Sequence, residues 1–214
     1  EEGGGLDLAL PSSDEQGEGR SAANAVMSGE KLHLIGACRI VANQGRFGGG
    51  LRFDGGDGRL MGRLPVSGTL EFWMQPEKPK GEAFTILHLF HPANRRAGPV
   101  VLRLLKDGSI ELDWAGLVQR VPSYQLREEL WTHVSLARQG STVEFRLDGE
   151  LIQFEKPLKS EKGGLNRYVI GNDRKAKTGF RGVLDELRVS NGVREYYPRT
   201  FGWALNDNRN AAKE

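Results

Sequence analysis

A single cysteine, Cys38, stands in 214 residues, so no internal disulfide can form. That excludes a disulfide-stapled scaffold but leaves export open, because many exported bacterial domains of this size need none. An excess of charge of one sign is also missing. Lys plus Arg number 30 against 28 Asp plus Glu, a net of +2. The charges are interspersed, so no basic stripe makes an electrostatic case for nucleic acid. No apolar run is long enough to span a bilayer. No signal-peptide pattern is visible, and the chain opens at Glu1-Glu2, as a mature or trimmed product would. Helical periodicity is absent. Glycine, by contrast, is abundant: 29 residues, spread among short apolar runs, which marks the turns of an all-β protein.

The stretch 128–152, EELWTHVSLARQGSTVEFRLDGELI, carries the strongest period of two. Val134 and Leu136 alternate with polar neighbours, and after Gln139-Gly140 the residues Val143, Phe145 and Leu147 face one way and Glu144, Arg146 and Asp148 the other. Asp148-Gly149 is a tight turn of the kind that needs positive φ, so the segment predicts an antiparallel meander with one buried face. Further strands are predicted at 5–10, 32–36, 39–43, 50–55, 59–63, 68–76 and 83–92, the last two ended by Pro76 and Pro92. A hairpin closed by Asp107-Gly108 is predicted over 100–116, with strands following at 117–124, 167–172 and 180–192. Residues 12–30 form a polar loop. Meanders this apolar need a second sheet to cover them, which predicts an antiparallel two-sheet jelly-roll sandwich. No repeat or compositional break divides the chain: one domain is expected over 1–205, then a polar tail, 206–214.

Four pieces in order, GRFGGGLRFDGGDGRL (45–60), GTLEFWMQP (68–76), LWTHVSLARQGSTVEFRLDGELI (130–152) and YVIGND…FRGVLDELRVSNGV (168–193), carry a resemblance. They resemble the concanavalin A-like lectin/glucanase superfamily, and more narrowly the laminin G-like (pentraxin-like) jelly-roll modules common in exported bacterial proteins. The resemblance covers roughly 45–193. The first forty residues depart from it, with GLDLALP in place of the usual aromatic-rich opening strand.

Candidate site residues follow. Asp185 shares parity with Val183, Leu187 and Val189, the apolar face, and a buried carboxylate requires a cation or several hydrogen-bond donors. The resemblance implies a structural calcium ion there, with Asp54, Asp57 and Asp7 as co-ligands beside backbone carbonyls. The alternative is a carboxylate that accepts backbone N–H bonds or an arginine, Arg52 or Arg181. Trp73, Trp131 and His133 lie on the parity opposite to Phe72, Met74, Val134 and Leu136. They make either an aromatic platform for the C–H faces of a sugar or simply the packing of a second covered face.

Glu111 and Asp113 match the first two carboxylates of the Glu-Asp-Glu strand of retaining β-glucanases. Ala115 and Gly116 stand where the third should be, so the chain is expected not to be an enzyme. His88 and His91 lack the spacing of a zinc site. The loop tips Asn94-Arg95-Arg96 and 172–177 (NDRKAK) are either a basic patch for an acidic glycan or partner, or ordinary solvated loops.

The resulting expectation is a non-catalytic, carbohydrate-binding recognition module of an exported bacterial protein, extracellular or periplasmic. The alternatives are a structural protein–protein interaction module of a cell-surface or periplasmic assembly and, third, a glycoside hydrolase.

Overall fold

The computed structural model describes residues 5–7, 21–22, 32–93, 98–125, 129–140, 142–152 and 165–194. Among the described residues there are strands and no helix: β1 Gly5–Asp7, β2 Ser21–Ala22, β3 Leu32–Ile35, β4 Cys38–Gly45, β5 Gly48–Asp54, β6 Arg59–Arg63, β7 Ser67–Pro76 and β8 Ala83–Phe90. They continue with β9 Val100–Leu105, β10 Ser109–Trp114, β11 Leu117–Gln125, β12 Thr132–Gln139, β13 Thr142–Leu147, β14 Glu150–Leu151, β15 Arg167–Ile170 and β16 Arg181–Asn191. The predicted tail, 206–214, the residues 8–10 of the first predicted strand and the loop Asn94-Arg95-Arg96 lie outside the described residues, as does the polar loop 12–30 apart from β2.

Two antiparallel sheets face each other. The first runs β14-β13-β12-β7-β16-β5-β4, with β1 also paired to β16, and the second runs β11-β10-β9-β8-β15-β6-β3-β2. This is the jelly-roll sandwich that the alternation predicts. The central meander holds: Val143 is 7% exposed, Phe145 1% and Leu147 0%. They pack with Leu70, Phe72 and Met74 of β7 and Val134 and Leu136 of β12 against Phe84, Leu87, Leu102, Leu112 and Tyr168 of the second sheet. Each large side chain fully buried in this way contributes roughly 1.5–3 kcal/mol. The turn residues Asp148 and Gly149 have φ of 50° and 80°, as the I′ geometry of a two-residue hairpin demands.

Two irregularities decide what the outer faces carry. In β16 the register with β7 shifts between Asp185 and Arg188, where Glu186 takes φ 52°. The extra residue of this bulge flips the alternation. Leu184 and Leu187 both face the core, and Asp185 stands beside Trp73 in register, on the outer face of the first sheet. The apolar-face position predicted for Asp185 is therefore corrected: unbroken parity does not survive a left-handed residue in mid-strand. In β8 a second shift falls between Thr85 and Leu87, so Ile86 and Leu87 both join the core. Thr85 instead meets the loop between β15 and β16, donating its N–H to the Thr178 carbonyl at 2.9 Å.

Candidate functional site

The outer face of the second sheet gathers groups that lie far apart in the chain. Leu89, Leu102, Leu104, Ile110, Leu112, Tyr168 and Ile170 face the core, so alternation turns His88 and Phe90 of β8, Arg103 of β9, Glu111 and Asp113 of β10 and Arg167 of β15 outward. Arg103 sits between two carboxylates: Nη1 donates to Glu111 Oε1 at 2.8 Å and Nη2 to Asp113 Oδ2 at 3.3 Å. The other oxygen of Asp113 accepts the Gly116 N–H at 2.9 Å. These side chains are partly open, at 26%, 17% and 20% exposure for Arg103, Glu111 and Asp113.

His88 adjoins this network. Its Nδ1 accepts the backbone N–H of Arg174 at 3.1 Å, which leaves Nε2–H as the donor of the neutral ring. Burial lowers its pKa below the ordinary value; Asp173 and Asp113 pull it up, and Arg174 and Arg103 push it further down. Phe90 packs edge-on to His88, centroids 5.7 Å apart, and the Arg174 guanidinium lies 4.9 Å from the Phe90 ring centre.

The loop 171–180 is held from within. Buried Asn172 donates Nδ2–H to the carbonyls of Gly56 and Gly58 at 2.8 and 3.3 Å, and its Oδ1 accepts the N–H groups of Asp173 and Thr178 at 2.9 and 3.2 Å. Asp173 Oδ1 accepts the N–H groups of Lys175 and Lys177 at 2.7 and 3.1 Å. At Gly171, φ is 85° and an added Cβ would sit 2.3 Å from the Phe53 ring, so only glycine lets the loop leave β15 here. The loop is thus fixed against the sheet by its own hydrogen bonds.

The residues predicted for a sugar platform lie on the other sheet. Trp73 and His133 are register partners, with ring centroids 5.0 Å apart, and are only 5% and 3% exposed. The Arg46 guanidinium covers Trp73 at 3.9 Å from a ring centre. Trp131 precedes β12 and is half-buried. On the same face, buried Glu71 meets Arg194 at 3.1 Å, Arg188 at 3.9 Å and His133 at 3.9 Å.

Three of the carboxylates predicted for calcium are engaged by separate partners. Asp185 accepts backbone N–H bonds from Phe47 at 3.0 Å and Glu186 at 2.8 Å. Asp54 pairs with Arg39 and Arg52; burial opposes its ionisation, but the two arginines outweigh that and hold its pKa below the usual carboxylate range. Asp57 accepts the Ala37 N–H at 3.0 Å. Asp7 pairs through its backbone with Arg188 of β16. Among the described residues no group of three or more His, Cys, Asp or Glu could hold a metal ion, and Asp185, Asp54 and Asp57 each have other partners. Millimolar calcium is accordingly expected to leave the melting temperature unchanged in a thermal-shift assay; a clear rise would restore the metal.

Known proteins share this architecture. The chain matches a Trypanosoma rangeli sialidase in complex with 2,3-difluorosialic acid with a TM-score of 0.63 and 15% identity, over 90% of this chain and 31% of that one. The chain therefore spans about a third of the sialidase's length. The binding domain of Paraclostridial Mosquitocidal Protein 1 matches with a TM-score of 0.56 and 12% identity, over 96% of this chain and 52% of that one. Domain 4 of a Geobacillus stearothermophilus arabinanase, in complex with arabinotriose, matches at 0.49 and 16% identity over 72% and 76%. At these identities the likeness is one of fold. No curated protein matches significantly. A laminin G-like family model, described as concanavalin A-like lectin/glucanases superfamily, matches residues 56–195. Two antiparallel sheets in jelly-roll order and a match over well over half of the sequence make this chain a member of the concanavalin A-like lectin/glucanases superfamily.

Proposed function

We propose that this chain is a non-catalytic recognition module of an exported bacterial protein, and that it takes carbohydrate on the outer face of its second sheet. The observation that supports this most is the Arg103–Glu111–Asp113 network beside a neutral His88. It offers fixed donors and acceptors in a partly open setting, which suits hydroxyl groups that both give and accept hydrogen bonds. Hydrolysis would need an acid and a base poised separately. Here one guanidinium engages both carboxylates, and the β10–β11 turn at Ala115 and Gly116, with φ of 51° and 90°, takes the place of a third. Likeness to a domain named as the binding domain of a mosquitocidal protein agrees with recognition.

The test is a glycan array followed by calorimetry. Wild-type protein is expected to bind at least one glycan class without releasing reducing sugar, and Arg103→Ala to weaken that binding by about tenfold, the value of a lost charge-assisted hydrogen bond. An empty array would sink the proposal, and sugar release would turn it into a hydrolase. A second reading, a protein-interaction module, draws on Leu117 and Val118, 40% and 52% exposed on edge strand β11. Such edges pair with other chains unless blunted.

A further inference from the structure

The same face has a cationic end. Arg167 of β15 stands directly opposite Arg63 of β6 on one side and Phe90 of β8 on the other. Leu60, Tyr168 and Ile170 of these strands face the core, so both arginines face outward with Phe90. Like charges set directly opposite on one sheet face are destabilising, and neither guanidinium makes a hydrogen bond or ion pair among the described residues. A third guanidinium, that of exposed Arg174, lies against Phe90.

Sheet faces ordinarily relieve such a cluster with an acidic neighbour, and the neighbours here are otherwise engaged. Glu111 and Asp113 are held by Arg103. Asp173 turns its oxygens to the N–H groups of Lys175 and Lys177 and the hydroxyl of Thr178. Arg63 and Arg167 side by side, with Arg174 against Phe90 next to Arg167, and no uncommitted carboxylate beside them among the described residues, make a cationic end suited to an anion. Planar guanidinium forks match a carboxylate or sulfate, each of which can accept two parallel N–H bonds.

Resting on the carbohydrate reading above, we propose that the ligand is an acidic saccharide. Its carboxylate or sulfate group sits at Arg63, Arg167 and Arg174, and its neutral hydroxyls reach the Arg103–Glu111–Asp113 end. The polarity of the site orients the sugar: a neutral glycan would leave three cations without a counter-charge, and a simple polyanion would make no use of the carboxylate end.

Matched polymers test this. Binding is measured by calorimetry at fixed salt to polygalacturonate against its fully methyl-esterified form, and to dextran sulfate against dextran. Polygalacturonate and dextran sulfate separate carboxylate from sulfate as the recognised group. The charged member of at least one pair is expected to bind and its neutral partner to bind at least tenfold more weakly. The Arg63→Gln/Arg167→Gln double variant should lose the difference and, because it removes a repulsive pair on an open surface, keep its melting temperature. Equal binding of charged and neutral members would overturn the acidic-ligand proposal and leave the carbohydrate reading standing. Failure to bind any of the four polymers or any arrayed glycan would remove both. Equal binding of polyglutamate would show that charge alone is read, and full affinity in the double variant would place the anion elsewhere; either result overturns the assignment.

Discussion

Replacing Phe180 by alanine is expected to lower stability by about 4 kcal/mol, the middle of the range for aromatic truncation in a core. Phe180 is 1% exposed and touches both layers. It meets Phe53 of β5 at 5.9 Å and 72° and Phe84 of β8 at 6.1 Å and 74°, edge-to-face in each case. Such pairs contribute about 0.5–1.5 kcal/mol beyond their buried area. The residue also ends the loop that carries Arg174. Its N–H donates to the Gly171 carbonyl at 2.8 Å and its carbonyl accepts the Gly55 N–H at 2.9 Å.

Truncation therefore removes the contact that fastens this loop between the two sheets, and binding at the second sheet's outer face should weaken with stability. Urea unfolding followed by tryptophan fluorescence measures the first effect, and calorimetry at a temperature well below the variant's transition measures the second. Phe180→Leu, which refills most of the volume, should recover the larger part of both. A loss below about 1 kcal/mol for the alanine variant would mean that the loop packs without its anchor.

Most of the strands were legible because their side chains alternate and their turns are spelled in the sequence. The predicted 59–63 strand has the bounds of β6, and Asp107-Gly108 and Asp148-Gly149 close the hairpins they predict. Parity misplaced Asp185 because a glutamate at φ 52° leaves no mark in the sequence; its neighbours Val183, Leu187 and Val189 continue the pattern as though nothing had intervened. The site was present only in pieces. His88, the Glu111/Asp113 pair and the 172–177 loop each look bland alone, and what joins them is register: β15 pairs with β8, which pairs with β9, which pairs with β10. Asn172 was invisible for a related reason. One buried amide that satisfies four backbone groups has no periodicity, and only the chain segments it ties together reveal it.

The two outer faces also divide the work. Aromatic rings and a histidine suggested a sugar platform on the first sheet, yet Trp73 lies beneath Arg46 and Glu71 is enclosed by arginines. A covered face of this kind stabilises; the half-open face opposite leaves its polar groups partly accessible. His133 puts that distinction to a measurable test.

Between pH 7 and pH 4 the wild-type protein is expected to lose about 3 kcal/mol more stability than a His133→Phe variant. Burial first, then the charge of Arg46, lower the His133 pKa from 6.5 to about 4. Glu71 Oε2, 3.9 Å from Nε2, pulls the other way, but its charge is shared with Arg194 and Arg188. The unfolded chain therefore binds a proton at this histidine at a pH where the folded protein does not. Its contribution is complete above pH 6.5 and declines as pH falls toward 4, by about 1.4 kcal/mol for each unit of displacement. Carboxylates that lose their arginine partners near pH 4 do so in both proteins, so the difference between the two stability curves isolates the imidazole. Phenylalanine retains a ring against Trp73 and cannot titrate; its absolute stability is immaterial, since only the slopes are compared. Parallel curves from pH 7 to 4 would mean that His133 is charged in the folded state and that Glu71, not burial, governs it.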